Sequence, residues 1–258
     1  MFERRKAEGK PALVAYLTAG DPTPSATAGL VAALERGGAD LIELGVPFSD
    51  PIADGPVIQR GADRALKAGM TLAGVLQVAA EVRKTSQIPI VLFSYLNPML
   101  RYGFSKLAKD AKAAGIDGVL MTDASVEEAE AYVDAMRAEG LDTVFLAAPT
   151  STERRLELVA KYSSGFVYLV SRTGVTGEQE SLSDSIGPLV ESMRKYTKLP
   201  LAVGFGISKH EQFQKVGSVA DGVVVGSALV RVVEQHGASP DLEKELESFT
   251  RRLVHGGS

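Results

Sequence analysis

Short apolar runs alternate with longer segments of helical periodicity along the whole chain. Eight of the runs are nearly continuous in hydrophobic residues, as expected of strands that are covered on both faces. The predicted strands are 11–18, 40–44, 89–95, 118–122, 143–147, 166–171, 201–204 and 222–225. The predicted helices are 25–36, 59–67 with 72–85, 104–114, 126–139, 153–162, 186–196, 210–216, 227–235 and 240–254.

This regular alternation of strand and helix predicts a (β/α)₈ barrel, with an extra helix at its carboxyl end. A doubly wound open sheet is the alternative, because alternation alone does not prove that the sheet closes. No long linker, charge block or low-complexity tract divides the 258 residues. We therefore expect a single domain over residues 1–258.

Composition narrows the classes of function. Hydrophobic residues make up 45% of the chain and charged residues 23%, and the net charge of −4 does not indicate nucleic acid or an anionic membrane. The absence of Cys excludes disulfides and thiolate catalysis, and the three His residues show no ligand spacing, so we expect no metal. No apolar run approaches the roughly 20 residues of a membrane span, and the first run is too short for a signal peptide. We expect a cytoplasmic enzyme.

In a barrel of this type, chemistry is expected at the carboxyl ends of the strands. Glu43 lies in the second predicted strand, where ionisation of a buried carboxyl is costly and its pKa should rise toward the range useful for proton transfer. The alternative is a structural Glu satisfied by backbone or Arg. Asp54 and Asp50 follow in a loop rich in Pro and Gly, where Asp is usually part of turn chemistry. Asp21 and Asp123 have the same alternative, a turn or a helix cap.

Glycines follow the last two predicted strands, each time directly before a helix. Gly204 and Gly206 precede one helix, and Gly226 with Ser227 precedes the next. Backbone N–H groups and a helix N-terminus can hold a phosphate here, although strand-to-helix turns also need Gly for their own geometry. Lys209 breaks any dinucleotide fingerprint.

Two further features bear on the chemistry. The connection 171–183 is rich in small polar residues, and it is either a lid that closes over ligand or an ordinary surface loop. No predicted strand ends in Lys, which argues against an aldolase that uses a Schiff base.

Together these stretches resemble the tryptophan synthase alpha chain family over essentially the whole chain. The most specific segment is Ile-Glu-Leu-Gly-Val-Pro-Phe-Ser-Asp-Pro-Ile-Ala-Asp-Gly-Pro at 42–56. The others, in family order, are Tyr-Leu-Thr-Ala-Gly-Asp-Pro at 16–22, Tyr-Leu-Asn-Pro at 95–98, Tyr-Leu-Val-Ser-Arg-Thr-Gly-Val-Thr-Gly at 168–177, Gly-Phe-Gly-Ile at 204–207 and Gly-Ser at 226–227.

The resemblance implies cleavage of indole-3-glycerol phosphate to indole and glyceraldehyde 3-phosphate. It assigns proton transfer to Glu43, and to Asp54 the stabilisation of positive charge at the indole nitrogen. It further implies that Thr176 meets Asp54 when the lid closes. The residues implied in substrate binding are Tyr16 and Phe93 for indole, Tyr168 for the pocket, and Gly177, Gly206, Gly226 and Ser227 for phosphate.

The resemblance also implies a partner, a beta chain that carries pyridoxal phosphate, in an α₂β₂ complex; the alpha chain itself would need no cofactor. The positions implied at this interface are Pro47, Asp50, Pro51 and Asn97. Ser125 stands where the family usually has Pro, which affects docking geometry rather than fold.

Two other functions stay open at this stage. One is another phosphate-binding barrel, such as an isomerase or an enzyme that forms indole-glycerol phosphate, which should often carry a strand-end Lys. The other is a barrel that acts chiefly as an allosteric partner, against which the intact Glu43 and Asp54 argue.

Overall fold

The computed structural model describes residues 1–170, 182–204 and 206–257. The strands are β1 Ala12–Thr18, β2 Leu41–Gly45, β3 Ile90–Ser94, β4 Gly118–Met121, β5 Asp142–Val144, β6 Leu146–Ala147, β7 Val167–Val170, β8 Leu201–Gly204 and β9 Gly222–Val225. The α-helices are α1 Phe2–Ala7, α2 Thr27–Gly37, α3 Pro56–Lys67, α4 Leu72–Val82, α5 Leu96–Tyr102, α6 Phe104–Ala113, α7 Glu130–Ala138, α8 Glu153–Tyr162, α9 Leu182–Arg194, α10 His210–Gly217, α11 Ser227–His236 and α12 Leu242–His255.

The strands form one parallel sheet in the order β5-β4-β3-β2-β1-β9-β8-β7-β6. The two strands at the ends of this order, β5 and β6, are separated in the chain only by Phe145. One half of this segment pairs with β4 and the other half with β7. The sheet is therefore closed through this segment, and the predicted barrel with its final helix, α12, is confirmed.

The barrel interior is filled from side chains that alternate along each strand. Eight buried apolar residues, one from each position around the barrel, form a layer across it: Val14, Leu41, Val91, Leu120, Val144, Phe166, Ala202 and Val224. Because strand side chains alternate between faces, the residue two positions further along also points inward. These next residues all line one cavity toward the carboxyl ends of the strands: Tyr16, Glu43, Phe93, Thr122, Leu146, Tyr168, Gly204 and Gly226.

The opposite end of the barrel is covered by α1. Phe2 packs against Phe166 with ring centroids 5.6 Å apart. The Arg5 guanidinium lies 3.3 Å from the buried carboxylate of Asp40, which also accepts a hydrogen bond from the Leu13 N–H. The Arg4 guanidinium also pairs with Asp40, at 3.2 Å, so the helix is held by one aromatic contact and two ion pairs to the same carboxylate.

The structure corrects several predicted elements. The predicted strand 143–147 is interrupted at Phe145, because its two halves pair with different neighbours. The predicted helix 126–139 begins as a short 3₁₀ turn, Val126–Glu128, before α7. Ser125 lies at the N-cap position of this turn, but its hydroxyl donates to the Glu127 carboxylate at 2.6 Å instead of accepting from the helix backbone. Helices α1 and α5 were not predicted because each is only about two turns long.

Within the described residues, no single helix is long and apolar enough to cross a membrane. The helices α3 and α4 reach that length and hydropathy only when taken together, across a bend of 94°.

Candidate active site

A cavity of about 420 Å³ opens at the carboxyl ends of the strands, within the usual size range of small-molecule sites. Its floor is the apolar layer described above, and its wall is the next inward residue of every strand. The loop after β2, the first turn of α3, the connection after β8 and the start of α11 complete the described part of the wall, through Ala53, Asp54, Gly55, Ile58, Gly206 and Ser227.

Glu43 is the buried acid of this cavity, with no exposed surface. Neither carboxylate oxygen has a hydrogen-bond partner among the residues that the structure describes. The alternative of a structural Glu satisfied by backbone or Arg therefore finds no support there. Burial without compensation raises the pKa of Glu43 from 4.5 to about 8, so the carboxyl is protonated at neutral pH and can give up a proton.

Asp54 is held by one tyrosine. The Tyr95 hydroxyl donates to Asp54 Oδ2 at 2.9 Å and accepts from the Ala53 N–H at 3.1 Å. Burial raises the pKa of Asp54 to about 6, and the hydrogen bond from Tyr95 opposes that rise. The two acids consequently differ at neutral pH: Glu43 is mostly protonated and Asp54 mostly ionised, a division of roles that suits acid–base chemistry.

The Tyr95→Phe variant is expected to raise the pKa of Asp54 by about one pH unit, because a hydrogen bond to the charged form is lost. An NMR titration of the Asp54 carboxyl carbon measures this. Tyr102→Phe is the matched control, since Tyr102 donates to Asp110 at 2.6 Å away from the cavity. An Asp54 titration unchanged by Tyr95→Phe would contradict the role given to this hydroxyl.

Aromatic side chains shape the middle of the cavity. Tyr16 and Phe93 meet edge to face with centroids 5.0 Å apart, and both line it. Tyr168 lies across from them, and its pKa is raised by burial and by the carboxylates of Glu43 and Asp54, so its phenol stays protonated. The backbone makes room for the rings: a Cβ on Gly204 would lie 2.5 Å from the Tyr168 hydroxyl oxygen.

The other end of the cavity is built from backbone. Gly206 has a φ of +62°, which side chains other than glycine rarely adopt, and it lines the cavity with Gly226 and Ser227. Helix α11 begins at Ser227, and none of the described side chains caps it. The first N–H groups of a helix, together with the positive end of its dipole, suit an anion.

Some predicted residues fall elsewhere. Thr176 and Gly177 lie outside the described residues, as do residues 171–181 of the predicted lid 171–183. Of the predicted interface positions, Asp50 and Asn97 are exposed, Pro51 is partly exposed and Pro47 is buried within the chain. Two exposed apolar side chains lie near them in sequence: Ile52 directly follows Pro51, and Leu100 is three residues after Asn97.

The structure also identifies residues that sequence reasoning missed. Tyr95 and Thr122 both stand at strand ends: Thr122 lines the cavity, and Tyr95 donates to Asp54, which lines it. A hydroxyl-bearing residue at a barrel strand end was the available signal. Asp123 accepts from the Leu96 N–H at 2.6 Å, in keeping with a cap. Asp21 is neither turn nor cap, because its buried carboxylate pairs with Arg64.

Comparison with known proteins identifies the family of the chain. The family model of the tryptophan synthase alpha chain matches residues 2–254. The tryptophan synthase alpha chain of Solibacter usitatus is 68% identical over 256 residues, which cover 99% of this chain and 96% of that one. A solved tryptophan synthase subunit alpha from Legionella pneumophila has a TM-score of 0.91 at 35% identity, covering 99% of this chain and 95% of that one. A chain of the tryptophan synthase α₂β₂ complex of Pyrococcus furiosus has a TM-score of 0.84 at 39% identity, covering 94% and 97%. The chain belongs to the tryptophan synthase alpha chain family.

Proposed function

We propose that this chain is a lyase that cleaves indole-3-glycerol phosphate to indole and glyceraldehyde 3-phosphate, with Glu43 and Asp54 as its catalytic residues. The observation that carries this proposal is the pair of acids in one cavity. One is fully buried without a described partner, and the other is held by Tyr95. Their pKa values of about 8 and about 6 bracket neutral pH.

The reaction follows from these two protonation states. Protonated Glu43 gives its proton to indole C3, and the positive charge that develops on the ring is stabilised at the indole N–H by ionised Asp54. The Glu43 carboxylate then takes the proton of the C3′ hydroxyl. The C3–C3′ bond breaks, its electron pair returns to the indole ring, and the aldehyde forms. Glu43 regains its proton, so the cycle closes without a net change in charge.

The two ends of the cavity are proposed to bind different parts of the substrate. Tyr16, Phe93 and Tyr168 hold the indole end, and the backbone at Gly206, Gly226 and Ser227 holds the phosphate. Thr176 and Gly177 are retained as proposed contacts from the resemblance alone. None of the described residues around the cavity is Lys, which favours this cleavage over the other phosphate-binding barrels considered above.

The direct test of the function is indole release from indole-3-glycerol phosphate, compared with closure of the indole ring by the same preparation. We expect cleavage and no ring closure. Ring closure without cleavage would favour an enzyme that forms indole-glycerol phosphate and would overturn the proposal.

A beta chain is the proposed partner, in an α₂β₂ assembly. The support is the exposure of Asp50 and Ile52 on the loop after β2, and of Asn97 and Leu100 on α5, since both elements follow strands at the cavity end of the barrel. We also propose that the chain itself uses no cofactor, pyridoxal phosphate belonging to the beta chain. The cytoplasmic location stays a prediction.

Adding a beta chain is expected to raise the rate of indole release by about 5–150-fold, the range of typical coupling between sites. Steady-state indole release with and without a beta chain measures it. Ile52→Asp, which places a charge on an 84% exposed apolar side chain, should reduce the activation while leaving the isolated rate unchanged. A rate that never rises on mixing would leave a free-standing lyase and remove the partnership.

A further inference from the structure

A network of four charged residues lies beside the cavity, outside the proposed chemistry. The Arg64 guanidinium donates from Nε and Nη2 to the two oxygens of Asp21, each at 2.8 Å, while Asp21 is only 1% exposed. Arg64 Nη1 also donates to Glu234 at 3.1 Å, and Arg60 pairs with the same carboxylate at 2.6 and 2.9 Å. We call Asp21, Arg60, Arg64 and Glu234 the latch.

The latch joins the elements that form the two ends of the cavity. Arg60 and Arg64 are on α3, which begins at Pro56, two residues after Asp54. Glu234 is on α11, which begins at Ser227 at the proposed phosphate end. Asp21 is in the connection after β1, and this strand also carries Tyr16. Both helices therefore start at the cavity, and they are tied together about one to two turns after their first residues.

The helices also touch between the cavity and the latch. Val57 of α3 and Val230 of α11 pack with Tyr16 in one buried cluster. At Gly61 the approach is so close that an added Cβ would lie 3.0 Å from both Val230 Cγ1 and Asp21 Oδ2. Apolar packing is not directional, whereas a bidentate arginine–carboxylate pair sets both distance and orientation. The latch is thus the directional part of this contact.

We propose that Arg64 is a positioning residue that sets the separation between the Asp54 end of the cavity and its phosphate end. This proposal rests on the proposed function, because it matters only for a ligand that reaches both ends. A small displacement between two groups that must act together lowers the rate steeply, by about 100-fold for 1 Å in unfavourable cases. A ligand that occupies one end alone is insensitive to the separation.

The test uses the full chain and three probes: inorganic phosphate, indole, and a non-cleavable indole joined to a phosphate by a three-carbon chain. In Arg64→Met we expect the affinity for the joined ligand and kcat/KM for cleavage to fall by about 10–100-fold. Phosphate and indole should each bind as in the wild type. Arg64→Lys keeps the charge and loses the bidentate geometry. Its affinity for the joined ligand and its kcat/KM should therefore lie between those of Arg64→Met and the wild type.

Arg83→Met is the matched control for loss of a structural arginine. Arg83 pairs with Asp117 at 2.7 Å and donates to the Gly115 and Ile88 carbonyls, away from the cavity. Arg83→Met should lower thermal stability, but it should not weaken binding of the joined ligand more than binding of phosphate or indole. If Arg64→Met does not fold, Glu234→Met removes the α11 half of the latch at a side chain that is 26% exposed and should show the same selective loss.

Three outcomes would contradict the positioning role of Arg64. Equal binding of the joined ligand by Arg64→Met and wild type would overturn the positioning role of Arg64 and leave the proposed function standing. An equal loss for the joined ligand and both fragments would show a merely structural role and would also overturn it. A wild-type chain that neither binds the joined ligand nor cleaves substrate would overturn the proposed function, and the latch with it.

Discussion

Replacing Glu43 with glutamine is expected to lower the rate of indole release by about 10²–10⁴-fold, the usual contribution of a positioned acid–base group. Glutamine has nearly the same shape but no proton to transfer. The apolar floor of the cavity and its backbone end at Gly206, Gly226 and Ser227 should be preserved, so binding of a non-cleavable indole phosphate should change little. Single-turnover indole release, with binding by calorimetry, separates the two effects.

The control is Glu81→Gln, on the exposed face of α4, which should keep the wild-type rate. In the wild type, kcat/KM should rise as Asp54 ionises near pH 6 and fall as Glu43 ionises near pH 8. In Glu43→Gln the fall near pH 8 should be absent from any residual activity. Substantial turnover by Glu43→Gln would remove Glu43 from the mechanism.

The same substitution is expected to stabilise the fold at alkaline pH. The folded chain binds the Glu43 proton up to about pH 8, whereas in the unfolded chain it is lost near 4.5. The folded state therefore binds more protons in this window, and stability falls as pH rises through it. Each pH unit removes about 1.4 kcal/mol, or about 5 kcal/mol across the whole window. Glu43→Gln does not ionise and escapes this loss.

Urea unfolding of both chains at several pH values between 4 and 9 measures the difference. Near pH 4 the two free energies of unfolding should be similar, and above pH 8 the variant should be more stable by several kcal/mol. The exposed substitution Glu81→Gln should follow the wild type at every pH. A difference that does not grow with pH would mean that the Glu43 carboxyl is not as isolated as its surroundings indicate. Stability lost for function in this way is common at active sites.

The local sequence predicted those features that depend on one strand, one helix or one turn. Continuous apolar runs indicated strands covered on both faces, and their alternation with helices indicated the barrel. Glu43 was conspicuous because a charged residue interrupts such a run, and the glycines around Gly206 and Gly226 marked strand-to-helix turns that can approach an anion. The interruption at Phe145 could not be read in this way, because it reflects which neighbours the two halves of the strand find when the barrel closes.

What only the tertiary structure decided is which groups are paired and which are not. Asp54 and Tyr95 are 41 residues apart, and Asp21 and Arg64 are 43 apart, so no local pattern links them. The isolation of Glu43 has the same origin, since it depends on what every neighbouring strand presents at that level of the barrel. Periodicity is set by near neighbours along the chain, whereas hydrogen-bond partners and desolvation are set by register and closure. The sequence by itself thus determined that an acid stands in the strand, and the closed barrel decided that this acid keeps its proton.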